Sequence, residues 1–485
     1  MYKKAIALLL SAGFIAALGA CSGENQEDTG GQANGEQKTE GIAIQNPGAE
    51  GEGSMEGTAA GGGTGNASET GGLRLLTSEN AKGCYTEQGY YYLTFDSVKL
   101  ADGNYASHLM YMDFASMQEI YLCSNAGCNH DTQDCPSVIL WDDIPTASSL
   151  PFVWQDGLYI LSKYPDNDGS MSFSAFIGGD ESSIAGSEGS CAVLYRANLD
   201  GTDRKAVYSF EPSAVLEDLV MGDEEQLYLV IKEISAEKDG QNTYYNSSER
   251  RLVSLEPSSG KLTDICSLDF NDSISWHIQG CYGRTLVLEG TDYGRQITNE
   301  EMFGDDDVYG EIYENSRQVF ATIALDNPQP VIRYRQDNKN INSSIIDGNM
   351  LYVSGNGDGA VRCVDLSTGV EQVICSRNGG SYYLYQKIGD KLCCEENIGD
   401  YAFSYIDVNT GEVQRSPLVN KSLGWSLDFR AVLNSDVLVI YDYDAVPSGG
   451  GSYEINRYQY GLISYDDLFA GRDNFRKINM IGKGE

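Results

Sequence analysis

From about Leu73 onward the chain is written in short apolar runs of roughly four to eight residues, often alternating with polar ones and broken by Gly, Asp, Asn or Ser. That pattern predicts short β-strands and tight turns. Five stretches share one design: "VLYRANLDGTDRKAVYS", "RLVSLEPSSGKLTDICS", "VFATIALDNPQPVIRYR", "AVRCVDLSTGVEQVICS" and "AFSYIDVNTGEVQRSPL". Each reads as a strand, a turn and a second strand. The turns align at Asp200-Gly201, Ser259-Gly260, Asn327-Pro328, Thr368-Gly369 and Thr410-Gly411, residue types that accept hairpin geometry. A further apolar run stands upstream of every hairpin, as in "DGLYILS", "EQLYLVI", "GRTLVLEG", "GNMLYVSG", "GDKLCCEE" and "SDVLVIY", with "QGYYYLTF" opening the series.

The recurrence predicts an all-β fold: a β-propeller of six to eight blades, seven favoured, over residues 73–485. One small sheet leaves both faces apolar, and a closed ring gives each sheet a neighbour on either side. The competing arrangement is a stack of hairpins in a β-sandwich. The run "LRLLT" at residues 73–77 is expected to close the ring by joining the last blade, whose own strands are placed near residues 458–464 and 475–480.

Extra residues enter between the upstream strand and the hairpin at about 164–190, 235–250, 291–317 and 443–456. Equivalent connections leave the same side of a ring, so these insertions are expected to share one face. They contain Tyr244, Tyr245, Phe303, Tyr309 and Tyr313 beside Asp305, Asp306 and Asp307, a mixture suited to stacking on sugar rings and accepting their hydrogen bonds. The plainer reading is that tyrosine is abundant, at 32 residues, and that loops are polar.

The amino-terminal residues obey a different pattern. Lys3 and Lys4 precede an apolar run from Ala5 to Leu18 that ends in Leu18-Gly19-Ala20-Cys21. About fourteen apolar residues are too few to span a bilayer, and basic residues, an apolar core and small residues in sequence read as a secretory signal over 1–20. This run resembles the lipobox of bacterial lipoproteins, which implies that Cys21 carries lipid and anchors the chain to the outer side of a cell membrane. Residues 22–72 are Gly, Glu, Thr, Ser, Ala and Asn with hardly a large apolar side chain, so they are read as a disordered tether with a reach of roughly 40 Å.

The net charge is −38, and most of it falls on the domain after the tether. Such a surface opposes nucleic acid and anionic lipid. The membrane is therefore expected to be met through the lipid anchor only.

Candidate chemistry concentrates in "YLCSNAGCNHDTQDC". Cys123, Cys128, His130 and Cys135 fall in one loop as Cys-x4-Cys-x-His-x4-Cys, residue types that zinc prefers. Three readings stand: a structural zinc, a disulfide from Cys123 or Cys128 to Cys135, or free thiols. Eleven cysteines follow Cys21, an odd number, and most of the others sit in strand patterns such as "VRCVDL", where a thiol serves as a small hydrophobe. No Gly-x-Ser-x-Gly, His-Glu-x-x-His, P-loop or Gly-x-Gly-x-x-Gly occurs. His277 is read as a packed strand residue and His108 as isolated. "DNDGS" at residues 166–170 holds only part of a calcium-loop pattern.

"LYRANLDGTDRK" resembles the repeat of YWTD-type and TolB-like propellers, which implies six blades, reconciled with seven units if the first is degenerate. Together with the lipobox, tether and Cys-rich run, the chain resembles uncharacterised propeller lipoproteins of Gram-positive anaerobes, a likeness that implies location and shape. The functional expectation is a non-catalytic surface protein that holds a glycan, peptide or envelope protein on its inserted loops. The alternative is a propeller hydrolase or lyase acting on carbohydrate with carboxylates on the disc axis.

Overall fold

The computed structural model describes residues 43–45, 72–77, 83–94, 98–100, 102–144, 149–163, 191–239, 242–247, 249–271, 273–298, 301, 306–356, 358–377, 380–396, 402–449 and 452–484. Seven antiparallel sheets follow one another along the chain: residues 83–140, 149–209, 214–267, 274–337, 341–376, 382–415 and 428–477. Each is a blade whose four principal strands pair in chain order. Blade 5 shows the plan, with Ile341–Asp347, Met350–Gly355, Ala360–Asp365 and Val370–Ser376. The first strands of adjacent blades lie side by side around an axis, as in blades 5 and 6. The fold is a seven-bladed β-propeller.

Burial follows distance from the rim. Gly157–Ser162, a second strand, is buried at every position, whereas Val370–Ser376, a fourth strand, is mostly exposed. A sheet apolar on both faces cannot meet water on either, so the cores form between blades. Val287 and Phe320 of blade 4 pack with Leu351, Val353 and Val364 of blade 5. Tyr352 and Val361 of blade 5 meet Leu384, Leu392 and Ile406 of blade 6. Tyr90, Tyr92, Met110 and Met112 of blade 1 meet Leu438, Ile440, Tyr460 and Leu462 of blade 7, which closes the ring. At about 1.5–3 kcal/mol for each large side chain fully buried, these seams are the main stabilising term.

Three sequence expectations need correction. The run at residues 73–77 does not join the last blade: Arg74–Leu75 pairs with Gly222 and Met221, adding a strand to the axis-facing edge of blade 3. The Leu73 amide donates to Gly283 O at 2.6 Å, and Leu73 is buried among side chains of blades 3 and 4, which gives this apolar segment a better home than an exposed rim. The first unit is not degenerate, since residues 83–140 form a full blade that pairs Tyr105–Asp113 with four other strands. The blade 4 turn falls at Leu325-Asp326, because Ala324 already pairs with Asn327.

Closure at the last blade is made instead by residues after its outer strand. The Glu119 amide donates to Asn479 O at 3.0 Å and the Asn479 amide to Met117 O at 2.9 Å. Glu119, only 1% exposed, accepts the Tyr92 hydroxyl and the amides of Ile481 and Gly482. Among the described residues no helix is long and apolar enough to cross a membrane.

Candidate functional site

The Cys-His loop is an excursion from the outer strand of blade 1. That strand begins as Gln118–Tyr121 and resumes as Val138–Leu140, both parts pairing with Tyr105–Asp113. Its two roots meet at one residue: Leu122 N donates to Leu109 O at 3.0 Å, and Leu109 N donates to Ser137 O at 2.7 Å. The intervening residues leave the sheet and coil through turns closed by Cys128 N to Asn125 O and Cys135 N to Thr132 O, at 3.2 and 3.1 Å.

His130 takes a left-handed backbone, φ +58°, which a non-glycine residue adopts at a cost of about 1–2 kcal/mol. Its surroundings hold it there. The His130 ring stacks on Tyr121 at 4.3 Å between centroids, Tyr121 meets the edge of His108 at 4.8 Å, and His108 Nε2 lies 2.9 Å from His130 O. His108 is therefore a buttress of this loop, which corrects its reading as isolated. From blade 2, Arg204 donates to Pro136 O and Val138 O, both at 2.8 Å, tying the loop's neck to the next blade.

The result is convergence. One ligand atom from each of Cys123, Cys128, His130 and Cys135 lies within 4.8 Å of all the others, and His130 Nδ1 is 3.3 Å from Cys135 Sγ. Zinc with Zn–S near ~2.3 Å and Zn–N near ~2.0 Å has ligand–ligand edges of about 3.4–3.8 Å, so a small contraction completes a tetrahedron. All eleven described cysteines are free thiols. The His130 amide donates to Cys128 Sγ at 3.4 Å and lowers that thiol's pKa, while burial pushes Cys135 up to about 12. Burial, with the neighbouring His108, lowers His130 and keeps its imidazole neutral, the form that ligates metal. Leu100 and Val138 pack beside Cys135 and shield one side. This loop can hold a metal ion.

The connections from second to third strands leave one face of the ring, as do the links between blades. Two of them rise as long arms: Leu227–Asp239 with Asn242–Ser247 over blade 3, and Asp436–Gly449 with Ser452–Ser464 over blade 7. Over blade 4 the connection holds a helix, α1, Asp306–Glu314. Tyr244 and Tyr245 pair with Glu237 and Ala236 in the blade 3 arm, and Asp306 and Asp307 begin α1. Tyr309 and Tyr313 lie one turn apart on α1 with rings 6.3 Å apart, and Tyr309 OH is 3.2 Å from Tyr293 OH. Tyr293 was not singled out from sequence because it lies just beyond the strand Thr285–Asp292 and far from the helix it meets. The described contacts bring these three tyrosines together. Cys21, Phe303, Asp305, the insertion at 164–190 and the partial calcium pattern within it lie outside the described residues.

No family model matches the chain, and no curated protein does. Among solved structures it is similar to puromycin hydrolase, at 12% identity and TM-score 0.45, covering 85% of this chain and 54% of that one. It is similar to an oligogalacturonate lyase from Vibrio parahaemolyticus, at 8% identity, TM-score 0.41, and 82% and 94% coverage. An acylaminoacyl peptidase from Pyrococcus horikoshii matches at 9% identity, TM-score 0.44, and 84% and 52% coverage. The chain spans about half the length of the hydrolase and peptidase chains. Likenesses this distant carry no argument about activity.

Proposed function

We propose that this chain is lipid-anchored to the cell membrane on its extracytoplasmic side and binds a glycan, peptide or envelope protein on the loop face of its propeller, without catalysis. The observation that carries this reading is the placement of the long arms and α1 on one face of a closed ring, while the connections on the opposite face are short turns except in blade 7, where a short helix, Tyr465–Phe469, precedes the outer strand. A rigid disc with one elaborated side presents loops without having to order its own scaffold on binding. Cys21 is the proposed anchor, residues 22–72 the tether. The Cys-His loop is proposed as a structural zinc site: three thiolates and an imidazole fill four positions and leave none for substrate.

Glycan and peptide arrays probed with the full chain test the loop face. Retention of a defined ligand, weakened by a Tyr244→Ala/Tyr245→Ala double variant or by Asp306→Asn/Asp307→Asn, is the expected result. No retained ligand in either array, or turnover of a retained one that disappears in the aspartate variant, overturns the non-catalytic binding reading.

A further inference from the structure

The first strand of blade 6, Tyr382–Ile388, alternates buried and open positions. Tyr382 and Leu384 pack with Tyr352 and Val361 of blade 5, and Tyr385 leans on the core shared with blade 7. Tyr383 is the exception. It is 41% exposed, and among the described residues no other large hydrophobic side chain of a first strand is exposed. Tyr383 pairs with Glu395 near the end of the second strand, Lys391–Glu396, from which the chain leaves toward the loop face. The Tyr383 ring therefore stands beside the axis at its loop-face end.

A carboxylate lies next to it. Tyr383 and Glu395 are directly opposite across the sheet, so their side chains leave the same face with Cβ atoms about 4.5–5.5 Å apart. The Tyr383 ring meets Tyr385 edge-on at 5.1 Å, Tyr385 stacks on Phe403 at 6.1 Å, and Phe403 meets Phe429 of blade 7 at 5.4 Å, a chain of rings that fixes the platform. Glu395 is held by neutral donors: the Ser426 hydroxyl gives to its Oε1 at 3.2 Å, and the Tyr385 hydroxyl bonds to it as well. The adjacent Glu396 is answered differently, by the Arg377 guanidinium and by Ser404 Oγ at 2.5 Å. Hydroxyls orient a carboxylate without cancelling its charge, so among the described residues Glu396 meets a cation and Glu395 does not. Ser426 follows Trp425, whose ring meets Tyr443 of the blade 7 arm at 5.9 Å, which makes this corner continuous with the loop face.

An electron-rich ring and a carboxylate with its full charge, side by side, both favour a cation. The net charge of −38 acts in the same sense at longer range, drawing cations in and opposing anions. Tyr385 already takes one flank of the Tyr383 ring, which leaves room for a slim methylene stem rather than for the broad face of a sugar. We infer that the loop-face corner between blades 6 and 7 is a lysine-binding subsite for a basic peptide, in which Glu395 pairs with the ligand's ammonium and the Tyr383 ring carries its alkyl stem. The inference rests on the loop-face reading for its place and adds the chemical class of what binds there.

Calorimetric titration of the full chain with tri-L-lysine in about 0.15 M salt reads the subsite, against the same peptide acetylated on every side chain and against tri-D-glucosamine, which carries equal charge on sugar rings. Tri-lysine is expected to bind, tri-glucosamine more weakly, and the acetylated peptide not at all, a comparison that needs no variant to fold. Glu395→Gln, which keeps an oxygen acceptor for Ser426 and Tyr385, is expected to weaken tri-lysine by about tenfold. Tyr383→Leu should cost about threefold and Tyr383→Phe, which keeps the ring, almost nothing. Absence of tri-lysine binding, equal binding of the acetylated peptide, or tighter binding of tri-glucosamine overturns the lysine subsite. So does an unchanged affinity in Glu395→Gln, which would leave only diffuse attraction to an acidic surface. A ligand found on the arrays under those outcomes leaves the loop face standing; empty arrays with tri-lysine binding that depends on Glu395 leave the subsite standing and remove the wider face.

Discussion

At the scale of single residues, the Cys-His loop was legible because its four ligands are neighbours in sequence, whereas what holds them was not. Tyr121, His108 and Arg204 reach the loop from another part of the outer strand, another strand and another blade. Loss of one ligand should abolish the ion: Cys128→Ser is expected to fall from one zinc per chain to none by elemental analysis of protein purified without oxygen, with a lower melting temperature. Stoichiometric zinc retained by that variant would contradict the assignment. His277 gives a second residue-scale test. Burial, with Arg250 nearby, lowers its pKa to about 4 from the ordinary 6.5, so below pH 6.5 the unfolded chain binds a proton that the folded one refuses. Folding stability from this group is therefore full above pH 6.5 and declines as pH falls toward 4, by up to ~3 kcal/mol. In urea titrations at pH 7 and pH 4.5, His277→Gln should lose less stability on acidification than the unaltered chain. An equal loss in both would remove His277 as the cause.

Among elements, the second, third and fourth strands and most turns could be read from sequence, whereas of the first strands only the one around His277 was recognised. The reason is a recurring bulge. The register slips between Leu216 and Val220, Ile278 and Gly280, Ile341 and Ser343, Leu384 and Gln386, and Phe429 and Ala431, each in the first strand of a blade. A bulge shifts the alternation of faces midway, so "AVLEDLVMG" no longer shows period two. The turns that were read correctly carry their own chemistry. Asp365 Oδ1 accepts the Ser367 amide at 2.8 Å, Asp407 Oδ1 the Asn409 and Thr410 amides at 2.9 Å, and Gly369 and Gly411 take the left-handed backbone that follows. "LDNPQP" lacks that glycine, and there the turn was misplaced by two residues. The strand Gln118–Tyr121 also carries the ring's fastener. Glu119→Ala would remove the buried acceptor of the Tyr92 hydroxyl and of two amides, an expected cost of about 2–4 kcal/mol in urea denaturation, with Glu119→Gln losing less. A loss below about 0.5 kcal/mol for the alanine variant would show that the carboxylate is not what fastens the ends.

For the whole molecule, repetition made the ring visible before any contact was known, because seven similar units that each need two neighbours have few other ways to pack. The count of seven holds against the six that the resembled families imply. What repetition hides is the exceptional contact, made once: the run at residues 73–77 beside blade 3 and the carboxyl-side segment against blade 1. Each departs from the repeat, and both bear on how the disc is assembled.

The fastener at Glu119 also dictates an order of events. Its amide partner at Ile481 is 362 positions away, so during synthesis the first blade must wait, its seam toward the seventh bare, until nearly all of the later blades have emerged. Any protease or chaperone that met the growing chain would meet an open arc with one unprotected flank before it ever met a disc.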